Sequence, residues 1–197
     1  MEVQLILATP EAQIGEMAKI CYATKPVSEG GKDITAQLVH GHGHLAALRF
    51  AYATVSVNGI SVACQNQMVR SKHLDFMVQS KRYVNADKGG FKFIMPNDLE
   101  GEIPDVMQDH FDSTLKLYNK LVAIGVKKED ARAILPANTS TAMNITGNLQ
   151  AWNDMFKLRL NNHAQAEIRT LATKIYQLLS VEYPQVFTDS YFAELKR

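Results

Sequence analysis

The chain has 197 residues, 46% hydrophobic and 21% charged, with a formal net charge of +1 at pH 7. That length suits one soluble domain, 1–197, burying about 70% of the surface of its unfolded chain. A charge this near zero excludes a protein that wraps a nucleic acid backbone, which needs a large basic excess.

Two cysteines, Cys21 and Cys64, give no disulfide framework and suit a reducing cytoplasm. No apolar run reaches the roughly 18 residues of a membrane span and no charged-then-apolar leader is present, so no membrane partner and no secretion are expected.

Val3, Leu5 and Leu7 alternate within Glu2 to Ala8 and predict a strand. Thr9 and Pro10 read as the cap and first position of a helix carrying Ile14, Met17, Ala18 and Cys21. Pro26 to Gly31 is a loop, and Asp33 to Leu38 a second short helix. Leu48 to Val57 alternates as a strand and runs into Asn58-Gly59, a strong turn signal. Ser61 caps a helix from Ser61 to Val69. Tyr83-Val84 and Phe91 to Ile94 read as strands of a hairpin around Lys88-Gly89-Gly90.

Pro104 to Ile124 is a helix closed by Gly125, and Lys128 to Ile134 is a short helix stopped by Pro136. Thr139 to Thr146 reads as a strand. Leu149, Trp152, Phe156 and Leu160 mark the apolar stripe of one helix, and Ala164, Ile168, Leu171, Ile175 and Leu178 that of the next. The whole predicts an α+β fold, a mostly antiparallel sheet with helices packed around it, without repeats or a domain boundary.

The chemistry concentrates between Gln67 and Tyr83. Arg70, Lys72, Lys81 and Arg82 stand there against Asp75 as the single acid. On a helix, Gln67 shares a face with Arg70 and Ser71. A cationic helix end running into Ser80-Lys81-Arg82 can hold a phosphate through forked arginine donors and a serine hydroxyl; a solvated basic turn is the alternative. His40, His42 and His44 alternate with glycines and invite a zinc reading, but no further Cys, His or acid lies at suitable spacing, and no metal is expected.

Arg70, nine further residues, Ser80 and then Arg82-Tyr83 resembles the signature of the flavin-dependent thymidylate synthases. Ser71, Lys72 and Val78 stand where that signature has His, Arg and Glu. Ala131 to Pro136, Thr146 to Gln150, Leu158-Arg159 and His163 to Arg169 resemble the family's C-terminal half in order and spacing. Ala18 to Tyr22 is similar to its first helix, and His42-Gly43-His44 to its His-Gly-His, though Ala46 to Phe50 replaces the family's Ser-Pro-Phe-Glu-His.

The resemblance implies FAD-dependent methylation of dUMP to dTMP, with methylenetetrahydrofolate and NADPH as co-substrates, in a homotetramer whose sites form where subunits meet. It implies flavin contacts from His44, Arg70, Ser71, Lys72, Asn148, Gln150 and Asp154. Nucleotide contacts would come from Gln67, Arg70, Gln79, Ser80, Lys81, Arg82, Arg132 and Arg159. Asn148 also reads as a helix N-cap, and Arg132 as a charge at a helix C-terminus.

Arg159 falls on the apolar stripe of its helix, where it forms a structural salt bridge or, as the resemblance implies, contacts the uracil ring and favours negative charge on it. Neither Cys21 nor Cys64 sits in the Pro-Cys-His setting of the thymidylate synthases that attack uracil with a thiol. No dinucleotide fingerprint occurs, so FAD would be held without a Rossmann unit. Loss of three signature residues leaves two other readings: flavin-dependent hydroxymethylation of a deoxypyrimidine nucleotide, and a degenerate homologue that only binds nucleotide or flavin.

Overall fold

A computed structural model of the chain describes residues 1–83, 90–97 and 99–196. Four strands, β1 (Glu2–Ala8), β2 (Tyr52–Ser61), β3 (Asp75–Val78) and β4 (Ser140–Asn148), form one antiparallel sheet in the order β1-β2-β4-β3. Among the described residues, seven α-helices accompany it: α1 (Ala12–Tyr22), α2 (Val62–Met68), α3 (Ile103–Ala123), α4 (Lys128–Ala131), α5 (Leu149–Arg159), α6 (Ala166–Glu182) and α7 (Asp189–Leu195). The fold is α+β, as expected.

The sheet is two-faced because successive side chains of a strand point to opposite sides. Ala53, Val55 and Val57 of β2 and Met143 and Ile145 of β4 are buried on one side, together with Trp152, Phe156, Ile168, Leu171 and Ile175 from α5 and α6. Each such large apolar side chain contributes about 1.5–3 kcal/mol when fully buried. Trp152 Nε1 donates to the Ala53 carbonyl at 3.2 Å and Tyr183 Oη to the Tyr52 carbonyl at 3.0 Å, which ties helix to sheet. The other side carries Gln4, Thr54, Ser56, Asn58, Asn144, Thr146 and Met77. α5 and α6 therefore pack against one face of the sheet. A second cluster, Phe91, Phe111, Tyr118 and Ala131, seats α3 and α4.

Four local expectations are corrected. Asn58-Gly59 is not a turn. β2 runs through it to Ser61, and the register against β4 shifts between Asn58 and Ile60, with Gly59 at φ +71°. The glycine supplies a positive φ, here for a bulge. Leu48 does not begin the strand: Leu45–Phe50 is a 3₁₀ segment leading into it. Thr9 does not cap α1. Its Oγ1 accepts from the Tyr52 amide at 3.0 Å, so it clips β2 instead, and the helix starts at Ala12. Of the predicted hairpin, Val84, Lys88 and Gly89 lie outside the described residues; Tyr83 is in a turn and Phe93 makes a single bridge to Thr139.

Candidate active site

The site begins where β2 ends. Ser61 Oγ accepts from the Cys64 amide at 2.9 Å and caps α2, as its sequence position predicts. Its own amide and hydroxyl donate to the Glu167 carboxylate at 2.8 and 2.6 Å, which locks the start of α2 to α6. Cys64 is buried beneath this contact, and burial, then Glu167, pushes its thiol up to about 12. It is a packing residue, as its neighbours in sequence suggest.

α2 ends at Met68, and the chain turns through Val69 to His73 into β3. Arg70 and Lys72 emerge exposed from this turn. Ser71 does not accompany them: it is 5% exposed, with Oγ directed at Met68 Sδ, 4.0 Å away. His73 takes φ +64°, and its carbonyl lies 3.3 Å from where a Cβ on Gly147 would stand. A Cβ there would also stand 2.5 Å from Leu74 Cδ2, so a larger residue would have to displace that side chain.

Arg159, at the last turn of α5, reaches α2. Its Nη2 donates to the Gln67 carbonyl at 2.6 Å, while Gln67 Nε2 donates to Gln165 Oε1. The salt-bridge alternative for Arg159 is not realised among the described residues. Its Nε is buried without a partner among the described residues. Burial, followed by the positive charge of Arg70, holds its pKa below the ordinary arginine value. Arg159 thus feels the charge of Arg70, and among the described residues neither guanidinium forms a salt bridge. An uncompensated pair of this kind is costly without an anion.

A cleft of about 310 Å³ opens nearby, lined by Gln65, Gln79, Ser80, Lys81, Arg132 and Pro136, among others. Arg132 lies just past α4 in a 3₁₀ turn (Arg132–Ile134) and uses its Nε on the Glu129 carbonyl at 3.1 Å. Lys81 Nζ donates to the Ser140 carbonyl at 3.1 Å. Arg82 pairs with Glu129 Oε2 at 2.7 Å. Gln65 was not among the residues singled out in the sequence, where nothing marks it; the fold brings it to the cleft beside Gln79.

The remaining predicted residues lie elsewhere. Asn148 caps α5, its Oδ1 accepting from the Ala151 amide at 2.9 Å, and Gln150 Nε2 donates to Asp154 Oδ1 at 2.9 Å. Gln150 and Arg159 are nine residues apart on one helix, so at about 100° per residue they face opposite ways. One protomer therefore does not bring the Gln150–Asp154 pair and Arg159 into a single pocket. His44 is exposed, with Tyr22 Oη 3.4 Å from its Nδ1. His42 contacts Gln37 and His40 the Gln185 carbonyl, at 3.1 and 3.0 Å. Among the described residues, no group of three or more His, Cys, Asp or Glu side chains is placed to hold a metal ion.

Among the described residues, two arginines without a carboxylate partner at a helix end, beside a cleft with two further cations, form a basic surface of the kind that can hold an anion. A sequence profile of the family described as thymidylate synthase complementing protein matches residues 4–185. A flavin-dependent thymidylate synthase of Geobacter sulfurreducens is 32% identical, with 96% of this chain and 87% of that one aligned. Its namesake in Corynebacterium diphtheriae is 28% identical over 91% and 78%, and that of Pyrococcus furiosus 32% over 77% and 64%. The chain belongs to the flavin-dependent thymidylate synthase family and is an enzyme of it. No helix among the described residues is long and apolar enough to cross a membrane.

Proposed function

We propose that the protein methylates dUMP to dTMP, with methylenetetrahydrofolate and NADPH as co-substrates, as a single-domain cytoplasmic homotetramer with the fold of its family. The observation that carries this reading is the Arg70–Arg159 pair, two cations that form no salt bridge and leave one buried donor without a partner among the described residues.

FAD fits the donor set. Arg70 and Lys72 are exposed cations suited to a diphosphate, His44 and Asn148 offer polar groups at exposed or half-buried positions, and Gln150 and Asp154 present a joined polar face. Bound there, the flavin supplies the redox equivalents of the reaction. The Gln150–Asp154 pair points away from Arg159 on α5, so we assign the two ends of that helix to different composite sites in the tetramer.

The residues of the chain then divide the work. Gln79, Ser80, Lys81, Arg82 and Arg132 would hold the nucleotide phosphate, while Gln67 and Arg70 would hold the sugar and base. Arg159 places its planar fork beside the uracil ring, where it favours negative charge on N3 and the ring oxygens and so polarises C5 without a protein nucleophile. Cys64, with a thiol raised to about 12 and buried, takes no part.

The test is product analysis by mass spectrometry. Purified protein is loaded with FAD and given methylenetetrahydrofolate, NADPH and either dUMP or dCMP. Formation of dTMP supports the reading. A hydroxymethylated product, or turnover of dCMP alone, replaces it, and a protein that takes up no FAD overturns it. Light scattering checks the assembly; a monomer at micromolar concentration refutes the shared sites.

A further inference from the structure

Arg159 takes its aim from a carbonyl that belongs to another helix. Its Nη2 donates to the Gln67 carbonyl at 2.6 Å, one residue before the end of α2. A helix of seven residues does not hold its own position, and the N-terminal end of α6 grips this one at both ends. At the start, the Glu167 carboxylate accepts the Ser61 amide at 2.8 Å and the Ser61 hydroxyl at 2.6 Å. At the end, Gln165 Oε1 accepts from Gln67 Nε2. Arg169 then stiffens the loop that joins α5 to α6, its Nη1 donating to the Asn162 and Ala164 carbonyls at 2.8 and 3.3 Å.

Ser61 is fully buried, and both its donors go to Glu167 while its hydroxyl oxygen accepts the Cys64 amide at 2.9 Å. Bonds to a carboxylate are about twice as strong as neutral ones. Glu167 forms no salt bridge among the described residues, so its carboxylate is given to Ser61 rather than to a cation. Cys64, raised first by burial, also feels both charged groups, Glu167 lifting its thiol and Arg159 lowering it. The clamp and the arginine therefore bear on the same short helix. We infer that Glu167 is a positioning residue: by holding Ser61, with Gln165 as a second grip, it sets α2 so that the Gln67 carbonyl aims the Arg159 fork. The inference rests on the reading of Arg159 above and adds a residue outside the groups assigned there.

The experiment is steady-state kinetics and NMR on FAD-loaded Glu167→Ala and Glu167→Gln, with Gln185→Leu as a variant weakened elsewhere. Glutamine accepts the Ser61 amide with Oε1 and donates to the hydroxyl oxygen with Nε2, whereas alanine leaves two buried donors unpaired. Glu167→Ala is expected to lower kcat about tenfold to a hundredfold, as a misplacement of about 1 Å does, with the KM for dUMP changed less than about threefold. Glu167→Gln should recover to within about threefold of the wild-type kcat because its two bonds rebuild the clamp; Gln185→Leu should stay there as well. In the Arg159→Ala background, Glu167→Ala should cost less than about twofold more, because the fork it aims is gone. Without substrate, the Nε–H resonance of Arg159 in a nitrogen-labelled sample, identified as the one missing from Arg159→Lys, should shift in Glu167→Ala and not in Glu167→Gln or Gln185→Leu.

The inference is overturned if the Arg159 resonance does not move in Glu167→Ala, if Glu167→Gln loses as much turnover as Glu167→Ala, or if the losses from Glu167→Ala and Arg159→Ala multiply. Ser61→Ala keeps the amide bond and loses the hydroxyl. It should move the same resonance by a smaller step, and it replaces Glu167→Ala in these comparisons if that protein does not fold. A resonance that moves as expected while Arg159→Ala turns over dUMP at a near-normal rate leaves the clamp standing and removes the role of Arg159 in the reaction.

Discussion

Arg159→Ala is expected to stop turnover while leaving the fold nearly as stable as before. The side chain gives up one charge-assisted hydrogen bond, Nη2 to the Gln67 carbonyl, whose loss typically costs about 1.5–3 kcal/mol. Against it stand the removal of a buried Nε without a partner, a situation that costs about 1–3 kcal/mol, and relief from the charge of Arg70. The terms oppose each other at similar size, so the net change should lie within about 2 kcal/mol of zero, a melting shift below about 8 °C. Catalysis has no such compensation: a preorganised charge lost beside a developing anion costs about 3–4 kcal/mol, two to three decades in rate. Thermal melting and steady-state dTMP formation are measured on the same preparations, with Arg159→Lys keeping the charge but losing the fork. If both variants form dTMP at near-normal rates, or if Arg159→Ala melts some 15 °C lower with full activity per folded molecule, Arg159 is a strut and the assigned role is wrong.

Lys72→Arg should tighten FAD several-fold in a fluorescence titration, because a fork replaces a point charge on a diphosphate; unchanged or weaker binding counts against a flavin contact there. Ser71→His, by contrast, places an imidazole where the serine is 5% exposed against Met68, and should lower stability by about 1–3 kcal/mol through overpacking, read by denaturant unfolding. In native protein Cys64 should resist alkylation at about pH 8, since a thiol raised to about 12 stays protonated there; mass spectrometry finding it labelled before denaturation refutes the assignment. Gln185 donates its amide and Nε2 to Glu11 at 2.8 and 3.2 Å, and its Nε2 to Asp33 at 2.8 Å. Burial raises Glu11. It also pushes Asp33 up, yet hydrogen bonds from Gln185 and Thr35, with Lys19, bring that carboxyl below its usual value. Gln185→Leu should cost about 1–3 kcal/mol near neutral pH. Leucine keeps the backbone amide bond to Glu11 but loses the Nε2 donor to both carboxyls, which raises both in the folded state; groups so raised regain stability on protonation, so the deficit should shrink between about pH 7 and pH 4. A deficit that stays constant over that range would contradict this.

Much of the fold is legible in the sequence because local rules and tertiary packing agree. Ser61 caps α2, Asn148 caps α5, and the stripe from Leu149 to Leu160 packs where its period directs. Elsewhere the local signal is real but its setting is not local. Gly59 does require a positive φ, yet pairing with β4 on either side makes it a bulge within a strand rather than a turn. β3 is four residues at a sheet edge, too short for alternation to mark it, with Phe76 and Val78 turned inward. In the site, the helical spacing that set Gln67 beside Arg70 and Ser71 stops at Met68, and the pairing of Arg82 with Glu129 joins distant stretches of sequence that no spacing rule reaches. That pairing separates Arg82 from the cation beside it, and the sequence shows the two only as equals.

The opposed ends of α5 have a genetic consequence. In the proposed tetramer a protein dead at Arg159 spoils one kind of composite site with one end of the helix, and a protein dead at Asn148 or Gln150 spoils its partner's contribution with the other. Denatured together and refolded, the two inactive chains should assemble into mixed particles in which some sites draw both good halves from different parents. Activity should return to about a quarter of the wild-type sites when the parents are mixed equally and assemble at random into symmetric oligomers.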